Sequence, residues 1–237
     1  MRFRALATDY DGTIARDGIV DDATIVALER LRDSGRKLIM VTGRELDDLI
    51  RVCPRLDLFA LVVAENGAVL YDPSDRLEAV LSGRPSLELV NRLKAAGVPD
   101  ISVGRSIIAL WKPNEVEALA AIRDLGLELH IVFNKEAVMI LPSAVNKATG
   151  LAEALKRLDL DVAHVVGVGD AENDHSFIGA CGYRVAVANA IPSLMGTVDL
   201  VTEGARGEGV QQLIALMIEA EEQLVSALQR RKSFRSA

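Results

Sequence analysis

Two aspartates, Asp9 and Asp11, stand one residue apart where the apolar run "RALAT" ends, and Gly12 follows them. Anions this close repel, and each raises the other's pKa unless a cation or hydrogen-bond donors intervene. On an extended segment, side chains at i and i+2 project to the same side, so both carboxylates would face one bound group. A second acidic pair, Asp170 and Asp174 in "GDAENDHSF", closes another apolar run. Such a crowd of carboxylates needs a cation, and an all-oxygen donor set favours magnesium, which keeps waters and bridges to substrate phosphates. The expected metal set is Asp9, Asp11, Asp170 and Asp174 around Mg2+. A calcium loop would need glycine at its sixth position, whereas Gly12 is fourth from Asp9 and His175 is sixth from Asp170.

Positive charge and small donors gather at comparable places. Lys147 in "AVNKATGL" opens a predicted helix, where an ammonium and a helix N-terminus together hold an anion. Taken singly, it also reads as a solvated lysine. Thr42, Gly43 and Arg44 end the run "KLIMVTGR", and the Thr42 hydroxyl and the N–H groups after it suit phosphoryl oxygens. Asn173 has two readings that stay open: orienting Lys147 or the metal shell, or capping the helix that follows.

All these residues, with Glu65 and Asn66, sit at the carboxyl ends of predicted core strands, the edge of an open parallel sheet where ligands bind. The strands are the runs "RALATD", "KLIMVTG", "ALVVAENG", "HVVGVGD", "YRVAVAN" and "DLVT". Between several lie helical segments such as "DDATIVALERLRDSG", in which Ile25, Leu28 and Leu31 share a face and Gly35 stops the helix. Strands apolar on both faces that alternate with helices predict a doubly wound parallel α/β fold. From residue 73 to 141 the pattern changes to helix, two short strands, helix and two more strands, an αββ unit written twice. It reads as an inserted α+β domain, with 1–72 and 142–237 forming the α/β core. A final helix is expected from Gly209 to Arg231, ending in the basic run "RRKSFRSA", which reads as a frayed helix end.

The chain has 237 residues and a formal charge of -7, which argues against broad binding to nucleic acid or a membrane surface. An anionic substrate then requires locally concentrated positive charge. Cys53 and Cys181 lie far apart with no CxxC pattern and read as buried apolar residues. Acidic residues arrive too early for a signal peptide and no run reaches membrane-spanning length, so a cytoplasmic protein is expected. Nothing in the sequence fixes an oligomeric state.

The ordered motifs carry a resemblance. "DYDGT" resembles the DxDGT signature of the haloacid dehalogenase-like hydrolases, "VTGR" their second motif with Thr42, Lys147 their third, and "GDAEND" their fourth. All appear in family order across essentially the whole chain. The doubled αββ insert, "ENGA" and "GYRVAVANA" are similar to the subgroup of Cof-type sugar phosphatases, archaeal-type phosphoglycolate phosphatases, sucrose-phosphate phosphatases and eukaryotic phosphomannomutases. The resemblance implies a phosphatase in which Asp9 is the nucleophile and Asp11 the acid and then the base. Magnesium would be held by Asp9 and Asp170 with Asp174 nearby, the Asp11 contact coming from its carbonyl. Lys147 and Thr42 would stabilise the transferring group. The insert would act as a cap over the crevice, with Arg105, Trp111, Lys112, His130 and Lys135 as candidates for substrate contact. The expected substrate is a small phosphorylated metabolite, a sugar phosphate or phosphoglycolate. The alternatives are a phosphomutase of the phosphomannomutase type and a non-catalytic regulator that binds a phosphorylated metabolite, although the latter predicts loss of a catalytic carboxylate.

Overall fold

The computed structural model describes residues 1–226. In chain order its elements are β1 (Ala5–Thr8), α1 (Asp22–Asp33), β2 (Lys37–Val41), α2 (Leu46–Val52), β3 (Leu61–Ala64), β4 (Val69–Asp72), β5 (Leu77–Val80) and α3 (Leu87–Ala95). There follow β6 (Ser102–Val103), β7 (Ile108–Trp111), α4 (Glu115–Asp124), β8 (Leu129–Asn134), β9 (Ala137–Pro142) and α5 (Lys147–Arg157). The chain closes with β10 (Val165–Gly169), α6 (His175–Ala180), β11 (Tyr183–Ala186), α7 (Pro192–Met195), β12 (Leu200–Val201) and α8 (Arg206–Glu219).

The larger sheet has eight strands in the order β12-β11-β10-β1-β2-β3-β4-β5. From β12 to β3 every pairing is parallel, as expected for strands joined by helical crossovers. Alternate residues of β1 feed opposite layers: Leu6 packs with Leu28 and Leu31 of α1 and Leu213 of α8, while Ala5 and Ala7 pack with Leu151 of α5 and Phe177 of α6. Helices therefore cover both faces, which is why these strands are apolar throughout. Helix α1 starts where the Asp21 carboxylate accepts the Thr24 N–H at 2.8 Å, and the chain turns after it at Gly35, whose φ is 85°.

Two strands at one end of this sheet are not read from the sequence. β4 returns antiparallel to β3, and β5 pairs antiparallel with β4. β5 thus falls within the stretch 73–141 but extends the larger sheet. The turn at 65–67 makes "VLYD" the second arm of a hairpin, whereas in the sequence it reads as the tail of the run before it.

The second sheet has four antiparallel strands in the order β6-β7-β9-β8. One face buries Ile108, Leu110, Val138 and Ile140 against Leu89 and Leu93 of α3 and Ala118 and Ile122 of α4. The other face sends Ile107 and Met139 into the apolar layer of the larger sheet. The final helix is interrupted among the described residues: α8 ends at Glu219 and helix resumes over 221–226. At the break, Glu221 accepts the N–H groups of Arg2 and Phe3 at 3.0 and 2.9 Å. The end of that expected helix and the run "RRKSFRSA" lie outside the described residues. Among the described residues no helix is long and apolar enough to cross a membrane.

Candidate active site

Strands β1 and β10 are neighbours, with Thr8 opposite Val168, so the residues that follow each strand emerge side by side. That register brings Asp9 and Asp170 together across the 157-residue interval from Thr13 to Asp170 that separates their loops. Oxygens of Asp9, Asp170 and Asp174 all lie within 4.8 Å of one another, and all three residues are buried. Lys147, the first residue of α5, is 1% exposed and donates to Asp9 Oδ1 at 2.6 Å and Asp174 Oδ1 at 2.7 Å. Asn146 fixes the start of that helix by accepting the N–H groups of Ala148 and Thr149 at 2.9 and 3.0 Å. Asp174 Oδ2 accepts the N–H groups of Asp170 and Ala171 at 2.8 and 2.9 Å, which ties the fourth-motif loop to itself. The Thr13 hydroxyl donates to Asp170 Oδ1 at 3.0 Å. Gly12 has a φ of 83°, and a Cβ there would lie 2.4 Å from Asp170 Oδ2, so only glycine allows the loops to meet.

Burial, with Asp174 and Asp170 alongside, pushes the Asp9 carboxyl up to about 8, against the partial relief that Lys147 gives. Burial also raises Asp170, where Lys135 offsets part of the effect. Burial opposes the charge on Lys147, yet Asp174 and Asp9 together hold its ammonium above the ordinary lysine range. Three carboxylates face the ammonium groups of Lys147 and Lys135, which do not neutralise them fully, and the closely spaced acceptors of Asp9, Asp170 and Asp174 are all carboxylate oxygens. That donor set fits a hard divalent cation such as magnesium.

Asp11 is not part of this cluster. Strand geometry ends at Thr8 and the chain folds back, Tyr10 accepting the N–H groups of Ile14 and Ala15 at 3.0 and 2.9 Å, so the two-residue side-chain period no longer applies. The Asp11 carboxylate instead lies at the mouth of the site, accepting from Arg44 Nε and Nη2 at 2.6 and 2.7 Å. Arg44 also donates to Asp48. Thr42 follows β2, on the other side of β1, with its hydroxyl accepting the Arg44 N–H at 3.1 Å. Gly43 and Arg44 line a crevice of about 830 Å3 between the two sheets, whose other walls include Asp11, Trp111, Lys135 and Met139.

Asn173 donates from Nδ2 to Asn66 Oδ1 at 2.8 Å, and the cap position of α6 belongs to Asp174, so it links two loops and does not cap a helix. Its Oδ1 is buried without a partner among the described residues.

The candidates on the second sheet divide. Trp111 faces the crevice and is 55% exposed. Lys135, at the β8–β9 turn, reaches across to Asp170 Oδ2 at 2.6 Å. Arg105 is bound to Asp47 and Glu78, and Lys112 lies 3.7 Å from Glu136. His130 is half-buried on β8. Burial pushes the Cys181 thiol up to about 12, as befits an inert core residue.

Sequence reasoning missed three contributors. Thr13, whose hydroxyl bonds Asp170, has no role in the sequence reading beyond its place in "DYDGT". Asn189, which donates to the Gly12 carbonyl at 2.9 Å, ends the run "YRVAVAN", so the strand-end rule that found the others would have found it. Glu65 was noted at a strand end without a role, and its partners are backbone groups that no motif reveals.

Comparison with known proteins agrees with this arrangement. The family profile described as haloacid dehalogenase-like hydrolase matches residues 6–98 and 115–214. A phosphoglycolate phosphatase of Methanothermobacter thermautotrophicus is 32% identical over 221 residues, covering 89% of this chain and 97% of that protein. A haloacid dehalogenase-like hydrolase from Bacteroides thetaiotaomicron superposes with a TM-score of 0.77 at 16% identity, covering 91% of this chain and 99% of its own. A sugar phosphatase of HAD subclass IIB superposes with a TM-score of 0.74 at 19% identity, covering 90% and 98%. At these identities the two structures establish likeness of fold.

Proposed function

Because this chain belongs to the haloacid dehalogenase-like hydrolases, we propose that it is a magnesium-dependent phosphatase. Its substrate is a small organic phosphate monoester, a sugar phosphate or phosphoglycolate, and the reaction passes through an aspartyl-phosphate on Asp9. The observation that carries this reading is the buried cluster of Asp9, Asp170 and Asp174 around the Lys147 ammonium, with Asp11 beside it at the crevice mouth. The phosphoglycolate phosphatases among the relatives favour that substrate, and the four-stranded insert suits a cap over the crevice.

Asp9, Asp170 and Asp174 would hold the magnesium, which supplies charge neutralisation between the nucleophile and the incoming phosphate dianion. An Asp9 oxygen attacks phosphorus while the bond from phosphorus to the leaving oxygen breaks, and Asp11 gives that oxygen its proton. Asp11, now a carboxylate, removes a proton from water as the water oxygen attacks phosphorus. The Asp9–phosphate bond breaks and inorganic phosphate leaves. Lys147 keeps Asp9 oriented, favours its ionised form against the effect of burial and, with Thr42, offsets charge on the transferring group. Arg44 holds the Asp11 side chain at the crevice mouth, facing the incoming substrate.

Hydrolysis of an aryl phosphate by the purified protein, with magnesium and then with a chelator, tests the reading, with Asp9→Asn as the control. Phosphate release that needs both magnesium and Asp9 supports it. No release under either condition favours a binding module, and interconversion of glucose phosphate isomers without release favours a mutase.

A further inference from the structure

Glu65 takes no part in the chemistry above, yet its carboxylate is completely buried. A buried charge is tolerated only when its oxygens are well bonded. Here the donors are backbone amides of one turn: Oε1 accepts the Arg105 N–H at 3.0 Å, and Oε2 accepts those of Ser106 and Ile107 at 2.9 and 3.3 Å. The Arg105 guanidinium itself is turned outward to Asp47 and Glu78. At Gly104, the residue before these amides, a Cβ would lie 2.7 Å from the Glu65 carboxylate. Core carboxylate and β6–β7 turn are thus fitted to each other.

The backbone beneath Glu65 is strained for the same purpose. Glu65 and Asn66 have φ values of 52° and 54°, two successive non-glycine residues in the left-handed region. Such strain persists only where surroundings enforce it, and an observed outlier is a pointer to function. This conformation aims Glu65 at the β6–β7 turn and Asn66 at both Asn173 and Met139 of β9. The turn leads directly into β7, and Ile107, Ala109 and Trp111 then line the crevice.

We propose that Glu65 is a positioning residue: by gripping the amides of residues 105–107 it sets β7 and its crevice-facing side chains over Asp9 and Asp11. The catalytic half of this proposal rests on the phosphatase reading; the structural half does not. If the grip matters to turnover, loosening it displaces the wall that orients the leaving group while the phosphate-binding residues stay in place.

The test pairs one variant on each side of the contact, Glu65→Gln in the core and Gly104→Ala in the turn. Amide hydrogen exchange of the full-length protein should show Arg105, Ser106 and Ile107 protected in the wild type and exchanging at least about tenfold faster in either variant. With magnesium and an aryl phosphate, kcat/KM should fall by up to about a hundredfold, the scale set by a 1 Å misplacement. Inhibition by inorganic phosphate, which needs only the core, should change by less than about threefold. Unaltered exchange in both variants overturns the proposal, as does faster exchange with unchanged kcat/KM, or an inhibition constant that rises in step with the loss of turnover. Should Glu65→Gln fail to fold by circular dichroism, Gly104→Ala decides alone. A wild type that never releases phosphate defeats the phosphatase reading, and the exchange data still decide whether Glu65 holds the turn.

Discussion

Two ion pairs of nearly equal length stand at the site, one buried in the core and the other between the β6–β7 turn and α2. Lys147 and Asp9 meet at 2.6 Å with side chains 1% and 5% exposed, whereas Arg105 and Asp47 meet at 2.8 Å with side chains 26% and 77% exposed. The buried pair acts through a medium of low dielectric that salt does not screen. The exposed pair is shielded by water and holds two side chains in one geometry for a small return. The core wall is therefore electrostatically committed: removing one member leaves the others uncompensated. The wall built on the second sheet carries Trp111 and Lys112 in partial contact with water, and apart from Lys135, which reaches Asp170, its exposed side chains can change without disturbing the charges beneath.

The sharpest break in that contrast comes from the proposed nucleophile. Asp9→Asn should cut kcat by at least about 10⁴-fold while the protein stays folded, measured as phosphate release in magnesium. Residual activity near wild type would remove the core wall from the chemistry. Asp11→Asn should follow, with a loss of about 10²–10⁴-fold, the range for general acid–base groups.

Stability sharpens the comparison in another way. Lys147→Met strands Asp9 and Asp174 in the interior, so urea unfolding in chelator should show a loss of about 3–5 kcal/mol. Arg105→Met should cost less than about 1 kcal/mol by the same measurement, since its pairs are at the surface. Equal losses would erase the distinction between the two pairs.

Proton linkage gives a further, smaller effect. Because the folded Asp9 carboxyl is raised from 3.8 to about 8, the folded state binds this proton more tightly than the unfolded chain does. Its contribution to stability is complete below about pH 4 and is lost as pH rises towards 8. In chelator, wild type should therefore lose more stability than Asp9→Asn between pH 5 and pH 8. Magnesium at a hundred times its Kd should add about 2.7 kcal/mol. Identical unfolding curves with and without magnesium would count against the metal site. The smallest change should be Trp111→Ala, raising KM by no more than about tenfold with kcat unchanged, as expected for binding that ground and transition states share.

Much of the core wall was legible because it is written locally. Asp9, Thr42, Lys147 and Asp170 each interrupt an apolar run or open a helix, and the sheet rule assigns such positions to the ligand edge. Asp11 was harder, since its direction depends on where β1 stops, and strand geometry cannot be carried past Thr8. The β4–β5 hairpin was missed for a similar reason: nothing in "ENGAVLYD" separates a strand that turns back from one that simply ends.

By itself the sequence determined which residues are apolar, how often they recur and which polar residues end each run, because strand and helix periods are properties of short segments. Only the tertiary structure decided which run ends are neighbours. It set β10 against β1, aimed Asp11 at Arg44 and closed Glu65 around the amides of residues 105–107. Those choices depend on pairings between distant parts of the chain and on backbone donors, which every residue except proline carries and which no residue letter can therefore announce.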